Sequence, residues 1–165
     1  MLKEIIKYVI LFAFFVSAFL FFSVEKGGFF YTNSQSMEPT ILPKDKMVLV
    51  KTGVLKRGDI IIFKNPKDMN AYLVKRLIGL PGDTVEIGGG QLYLNNKPMD
   101  EPYLKNKHIV YEYGPAQVPP ENLFVLGDNR NNSEDSSIWG FLPAENVRGK
   151  VIFRYWPLNH FGRIN

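Results

Sequence analysis

The sequence predicts a mainly β fold, antiparallel and partly closed, behind one N-terminal transmembrane helix. Three observations carry that prediction. From Tyr8 to Val24 no side chain is charged. Beyond Gly28 the continuous apolar run gives way to short segments rich in Val, Ile, Leu and aromatics, bounded by Gly, Pro, Asn or Asp, the pattern of strands. No long segment after the first carries helical periodicity. Roughly 140 of the 165 residues follow the apolar run, enough for a single core. With 45% hydrophobic and 22% charged residues, the composition is globular, which excludes disordered, collagenous and low-complexity chains.

The first element is the run YVILFAFFVSAFLFFSV, residues 8–24. A helix of that length rises about 25 Å, and Ile5 and Ile6 with a snorkelling Lys7 bring it near the ~30 Å of a bilayer's hydrocarbon. Lys3 and Lys7 precede it against Glu4, and Lys26 follows. The positive-inside rule then places the N-terminus in the cytoplasm. A cleaved secretory signal is shorter and ends in a small-x-small site, which Val24-Glu25-Lys26 does not offer. The chain therefore divides into 1–26, a cytoplasmic N-terminus and signal-anchor, and 27–165, an extracytoplasmic domain.

Strands are expected at Lys46–Lys51, Asp59–Lys64, Ala71–Leu80, Thr84–Ile87, Gln91–Leu94, Leu123–Leu126 and Lys150–Trp156. Turn chemistry separates them at Arg57-Gly58-Asp59, Pro81-Gly82-Asp83, Gly88-Gly89-Gly90 and Asn95-Asn96. Residues 88–120 are more polar and hold Pro98, Pro102, Pro115, Pro119 and Pro120. They read as a β-ribbon and loop leaving the main sheet.

Composition narrows the chemistry. With no cysteine, a disulfide scaffold, a thiol nucleophile and a thiolate zinc site are excluded. His108 and His160 are the only imidazoles. A net charge of +4 suits nucleic acid or anionic lipid. The chain has no run of five basic residues, so membrane lipid rather than nucleic acid is the expected partner.

Three short motifs hold the candidate chemistry. Ser34-Gln35-Ser36-Met37-Glu38-Pro39-Thr40 follows the anchor. A serine nucleophile needs a base within reach and donors for the oxyanion, and with so few histidines the base would be a lysine, desolvated so that its amine is neutral. In the expected strand around Lys75, that residue shares a face with Leu73 and Leu77, while Arg76 points away with Val74 and Ile78. The third motif, Gly127-Asp128-Asn129-Arg130-Asn131-Asn132-Ser133-Glu134-Asp135-Ser136, lacks the glycine and the third ligand of a calcium loop. Taken singly, Ser36 reads as a turn-capping serine and Lys75 as a lysine snorkelling from an edge strand.

Together and in this order, S-M-E-P-T, R-G-D-I-I-I-F-K, L-V-K-R-L-I-G-L-P-G-D and G-D-N-R-x-x-S-x-D-S behind an anchor resemble the motif boxes of bacterial type I signal peptidases. The resemblance spans nearly the whole chain. It implies a membrane-bound serine endopeptidase on the outer face of the cytoplasmic membrane, acting through a Ser/Lys dyad and an acyl-enzyme without metal or organic cofactor. Ser36 is similar to the family's nucleophile and Lys75 to its general base. Ser34 resembles the side-chain oxyanion donor that acts with the Ser36 backbone N–H, and Ser133 the serine that hydrogen-bonds the lysine. Asp128, Arg130 and Asp135 fall where the family has structural polar residues. The implied substrates are secretory preproteins with small residues at −1 and −3. Met37, Ile41, Leu73 and Val74 flank the dyad as candidate walls of shallow pockets. The arginine that usually follows the family's Asp-Ser is Ser137 here, leaving either Arg130 or Arg148 to pair with Asp135 or a looser site.

Two rivals differ in observable ways. A self-cleaving repressor of the SOS type would carry a DNA-binding helix-turn-helix instead of an anchor. A catalytically inactive signal-peptidase-like chaperone of surface-fibre assembly would be expected to lack Ser36 or Lys75.

Overall fold

Helix α1 (Leu2–Lys26) runs 25 residues, straight into the first strand. The computed structural model describes residues 2–51 and 54–164, and of residues 18–27 it describes only the backbone course. The second half of the run Tyr8–Val24 thus lies outside the described side chains. Among the described residues no helix is long and apolar enough to cross a membrane. Side chains of the first half, Ile10, Phe12 and Phe14 among them, are exposed.

Strands follow as β1 (Gly27–Tyr31), β2 (Lys46–Val50), β3 (Ile60–Asn65), β4 (Asp68–Gly79), β5 (Thr84–Gly88) and β6 (Gln91–Leu94). Then come β7 (Lys97–Pro98), β8 (Tyr113–Gln117) and β9 (Asn122–Leu126). A four-residue helix α2 (Ser136–Trp139) precedes β10 (Leu142–Pro143), β11 (Val147–Trp156) and β12 (Gly162–Arg163). All seven strands expected from alternation are present. The additional ones, β1, β7, β8, β10 and β12, are two to five residues long, too short or too rich in Gly and Pro to alternate visibly.

Eight strands form the main sheet in the order β1-β2-β11-β3-β4-β9-β10, with β12 on β11. The ordered pairs are antiparallel. A second, four-stranded sheet, β7-β6-β5-β8, leaves the first after the Pro81-Gly82-Asp83 turn. The expected partial closure is not seen: among the described residues both sheets are open. The main sheet ends on β1 at one edge and on the two-residue β10 at the other, and β5–β8 pair among themselves.

Alternation along β4 divides the interior. Leu77 packs with Ile61, Phe63, Leu123 and Val125, with the half-buried Leu73 against them. Val74 joins Met37, Ile41, Met47 and Leu49, and Ile78 joins the core of the second sheet with Val85, Ile87 and Phe124. Burying about 25 such side chains, at roughly 1.5–3 kcal/mol each, is the driving force that holds the sheets in register.

Candidate active site

The turn between β1 and β2 carries Ser36, and β4 carries Lys75. Lys75 lies opposite Ile61 of β3, on the face it shares with Leu73 and Leu77, and only 2% of it is exposed. Its Nζ is 2.6 Å from Ser36 Oγ, to which it donates; Ser36 itself is 5% exposed. Burial among aliphatic side chains pulls the Lys75 amine down from 10.5 to about 8, against the opposing pull of the Asp135, Glu134 and Asp128 carboxylates. At neutral pH a useful fraction of this amine is unprotonated, so its lone pair can accept the hydroxyl proton it faces.

Ser34 completes the turn. Its Oγ donates to Ser36 Oγ at 3.1 Å and accepts from the Ser36 backbone N–H at 3.2 Å. The hydroxyl and the amide therefore lie side by side.

The strand β9 runs antiparallel to β4, with Leu126 opposite Arg76, and so delivers the 127–135 loop to the Ser36–Lys75 pair. Gly127 is required by close approach: a Cβ there would stand 2.5 Å from the Ser36 carbonyl oxygen and 2.2 Å from Ser133 Oγ, distances real Cβ atoms do not reach. The Asn129 N–H donates to the same Ser36 carbonyl at 2.9 Å. Asp128 accepts a two-pronged bond from Arg76 at 2.8 Å and 2.8 Å and one from Thr40 Oγ1 at 2.5 Å. It thereby ties the loop to β4 and to the serine turn at once.

Other predicted residues take places the sequence did not foretell. Ser133 Oγ is buried with no hydrogen-bond partner among the described residues and packs on Gly127; the structure does not join it to Lys75. Arg130 pairs with Glu101 and Arg148 lies over the Tyr72 ring, so neither takes the role left open by Ser137. Instead Asp135 accepts from the Ser137 N–H and Oγ–H at 3.1 Å and 2.8 Å, and from Gly127 N–H at 2.9 Å. It caps α2 and holds the loop's start. The four candidate pocket residues are not gathered. Met37, Ile41 and Val74 are 1%, 0% and 3% exposed in one core cluster, while Leu73 packs on the opposite face with Leu77.

Thr40, Arg76, Glu101, Gly127 and Asn129 complete the arrangement without having been singled out as site residues. Thr40, Arg76, Gly127 and Asn129 lay inside the quoted motifs. Glu101 had no signal at all, because its partner is 29 residues away.

Residues 2–156 match the profile of the family described as signal peptidase, peptidase S26. The chain is 40% identical to signal peptidase I of Leptolyngbya laminosa, with 81% of this chain and 71% of that protein covered. It is 37% identical to signal peptidase IB of Staphylococcus aureus strain COL, with 98% and 94% covered. A crystal structure of a signal peptidase I from Enterococcus faecalis V583 superposes with a TM-score of 0.53 at 36% identity, over 59% of this chain and 96% of that one.

Proposed function

The chain belongs to the signal peptidase family, peptidase S26, and on that premise we propose that it cleaves signal peptides from secretory preproteins with Ser36 as nucleophile and Lys75 as general base. The observation that carries this reading is the 2.6 Å contact between Ser36 Oγ and a lysine whose burial lowers its pKa to about 8. Ser36 Oγ attacks the scissile carbonyl carbon while its proton passes to Lys75 Nζ. The developing oxyanion is met by Ser34 Oγ–H and the Ser36 N–H, two adjacent donors that leave Ser36 Oγ and Ser34 Oγ, respectively, for the substrate oxygen. The C–N bond breaks, and the leaving amine takes the proton from Lys75. The neutral lysine then activates water, which releases the signal peptide from Ser36 and regenerates the hydroxyl.

The anchor reading rests on the uncharged run Tyr8–Val24 and on the exposed apolar side chains of the first half of α1. In this reading residues 1–26 hold the enzyme in the cytoplasmic membrane and 27–165 form the extracytoplasmic catalytic domain, at the surface where anchored preproteins emerge. Protease added to intact spheroplasts should digest the chain beyond Gly27; protection would invert the topology. The preference for small residues at −1 and −3 rests on the family resemblance alone.

The decisive assay incubates the full chain in detergent with a preprotein bearing Ala at −1 and −3. Cleavage at that site, an acyl adduct on Ser36 seen by mass spectrometry, and no cleavage by Ser36→Ala are expected. An intact preprotein would instead favour the inactive chaperone, a reading that the presence of both Ser36 and Lys75 opposes.

A further inference from the structure

If Ser36 and Lys75 cleave the peptide, two buried cations beside them take no direct part in the chemistry. Arg76 and Arg130 are each 3% exposed, and both are met by one short segment after β7, Glu101-Pro102-Tyr103. Glu101, itself 6% exposed, accepts from Arg130 Nη1 at 2.7 Å and Nη2 at 2.5 Å. The Tyr103 hydroxyl donates to the same carboxylate at 2.5 Å, and the Tyr103 ring lies 3.9 Å over the Arg76 guanidinium.

Both arginines reach the dyad in one further step. Arg130 donates through Nε to the Gly127 carbonyl at 2.9 Å, and Gly127 is the residue pressed against the Ser36 carbonyl. Arg76 follows Lys75 in β4 and grips Asp128, which in turn holds Thr40. Buried ion pairs contribute little net stability against apolar replacements, because desolvation offsets their attraction. What planar, two-pronged pairs do supply is fixed geometry. Displacing a nucleophile by about 1 Å costs about a hundredfold in rate.

We propose that Glu101 and Tyr103 are positioning residues for cleavage: from the edge of the second sheet they lock Arg130 and Arg76, which hold the Ser36 backbone and the Lys75 strand in reacting geometry. Neither touches the reacting atoms. This inference rests on the Ser36–Lys75 reading above.

Preprotein cleavage by the full chain in detergent tests it, with active sites counted by covalent titration of Ser36. Glu101→Gln should lower kcat per titrated site about tenfold to a hundredfold with KM within twofold. Tyr103→Phe, which keeps the ring and loses the hydroxyl, should lower it several-fold. Asp100→Asn, beside Glu101 but 86% exposed, should not change it. Should Glu101→Gln fold poorly, the pair Glu101→Leu with Arg130→Met removes both buried charges and should restore thermal stability without restoring kcat. A wild-type kcat in that double variant, or a Glu101→Gln loss lying wholly in fewer titratable sites, would overturn the proposal. Amide exchange gives a readout independent of activity: the Asn129 N–H should exchange faster in Glu101→Gln and not in Asp100→Asn. Unchanged exchange rejects the positioning role even if the wild-type chain cleaves nothing, whereas absent cleavage with faster exchange rejects only the catalytic reading.

Discussion

Lys75 and Arg76 are neighbours on one strand, nearly equally buried at 2% and 3%, and they occupy opposite electrostatic worlds. On its face of β4, Lys75 meets aliphatic side chains and the Ser36 hydroxyl, a partner without charge. On the other face, Arg76 meets the fork of Asp128. The first cation is pushed toward the neutral amine that a base requires; the second stays a charged strut. Burial alone does not decide what a buried cation does. The charge of the group that meets it does, and one step of strand alternation is enough to separate the two outcomes.

The contrast breaks first at the base. Lys75→Ala should lose about 10²–10⁴ in kcat/KM, and Lys75→Arg should lose as much, because a guanidinium keeps its proton. Arginine activity within tenfold of wild type would make the two positions equivalent. In the unaltered chain the acidic limb of the kcat/KM profile should lie near pH 8, with activity falling as pH drops through it and Lys75 takes up its proton.

Next in size is the strut. Arg76→Met leaves the Asp128 carboxylate buried without its cation and should cost about 3–5 kcal/mol in urea unfolding. A cost below 1 kcal/mol would show that Thr40 and solvent suffice for Asp128.

A subtler test uses stability against pH. With its folded value lowered from 10.5 to about 8, Lys75 destabilises the folded chain below pH 8 by about 3 kcal/mol. Between 8 and 10.5 the unfolded chain holds a proton there that the folded one does not, so this penalty fades as pH rises. Lys75→Met should therefore be inactive yet more stable at pH 7, with its advantage shrinking toward pH 10.5. A pH-independent difference would mean the lysine is not depressed.

The smallest effect belongs to Asp135, a buried carboxylate met by hydroxyl and amide donors instead of a guanidinium. Ser137→Ala removes the Oγ donor and should cost about 1 kcal/mol; a loss above 3 kcal/mol would mean that this hydroxyl does the work of a missing cation.

Sequence by itself determined much of this protein. Alternation located seven strands, and the same period placed Lys75 with Leu73 and Leu77 and Arg76 on the reverse face. These features are local, written in successive residues, and the backbone's two-residue repeat transmits them directly into space. Tertiary structure alone decided the pairings. Arg130 went to Glu101 and not to Asp135, Ser133 was left unbonded against Gly127, the candidate pocket residues were divided between two cores, and the sheets stayed open. Each of these depends on which distant segments meet, as Arg76 and Asp128 do across a sequence separation of 52. A side chain's partner is chosen by the closing of such loops, for which spacing along the chain carries no code.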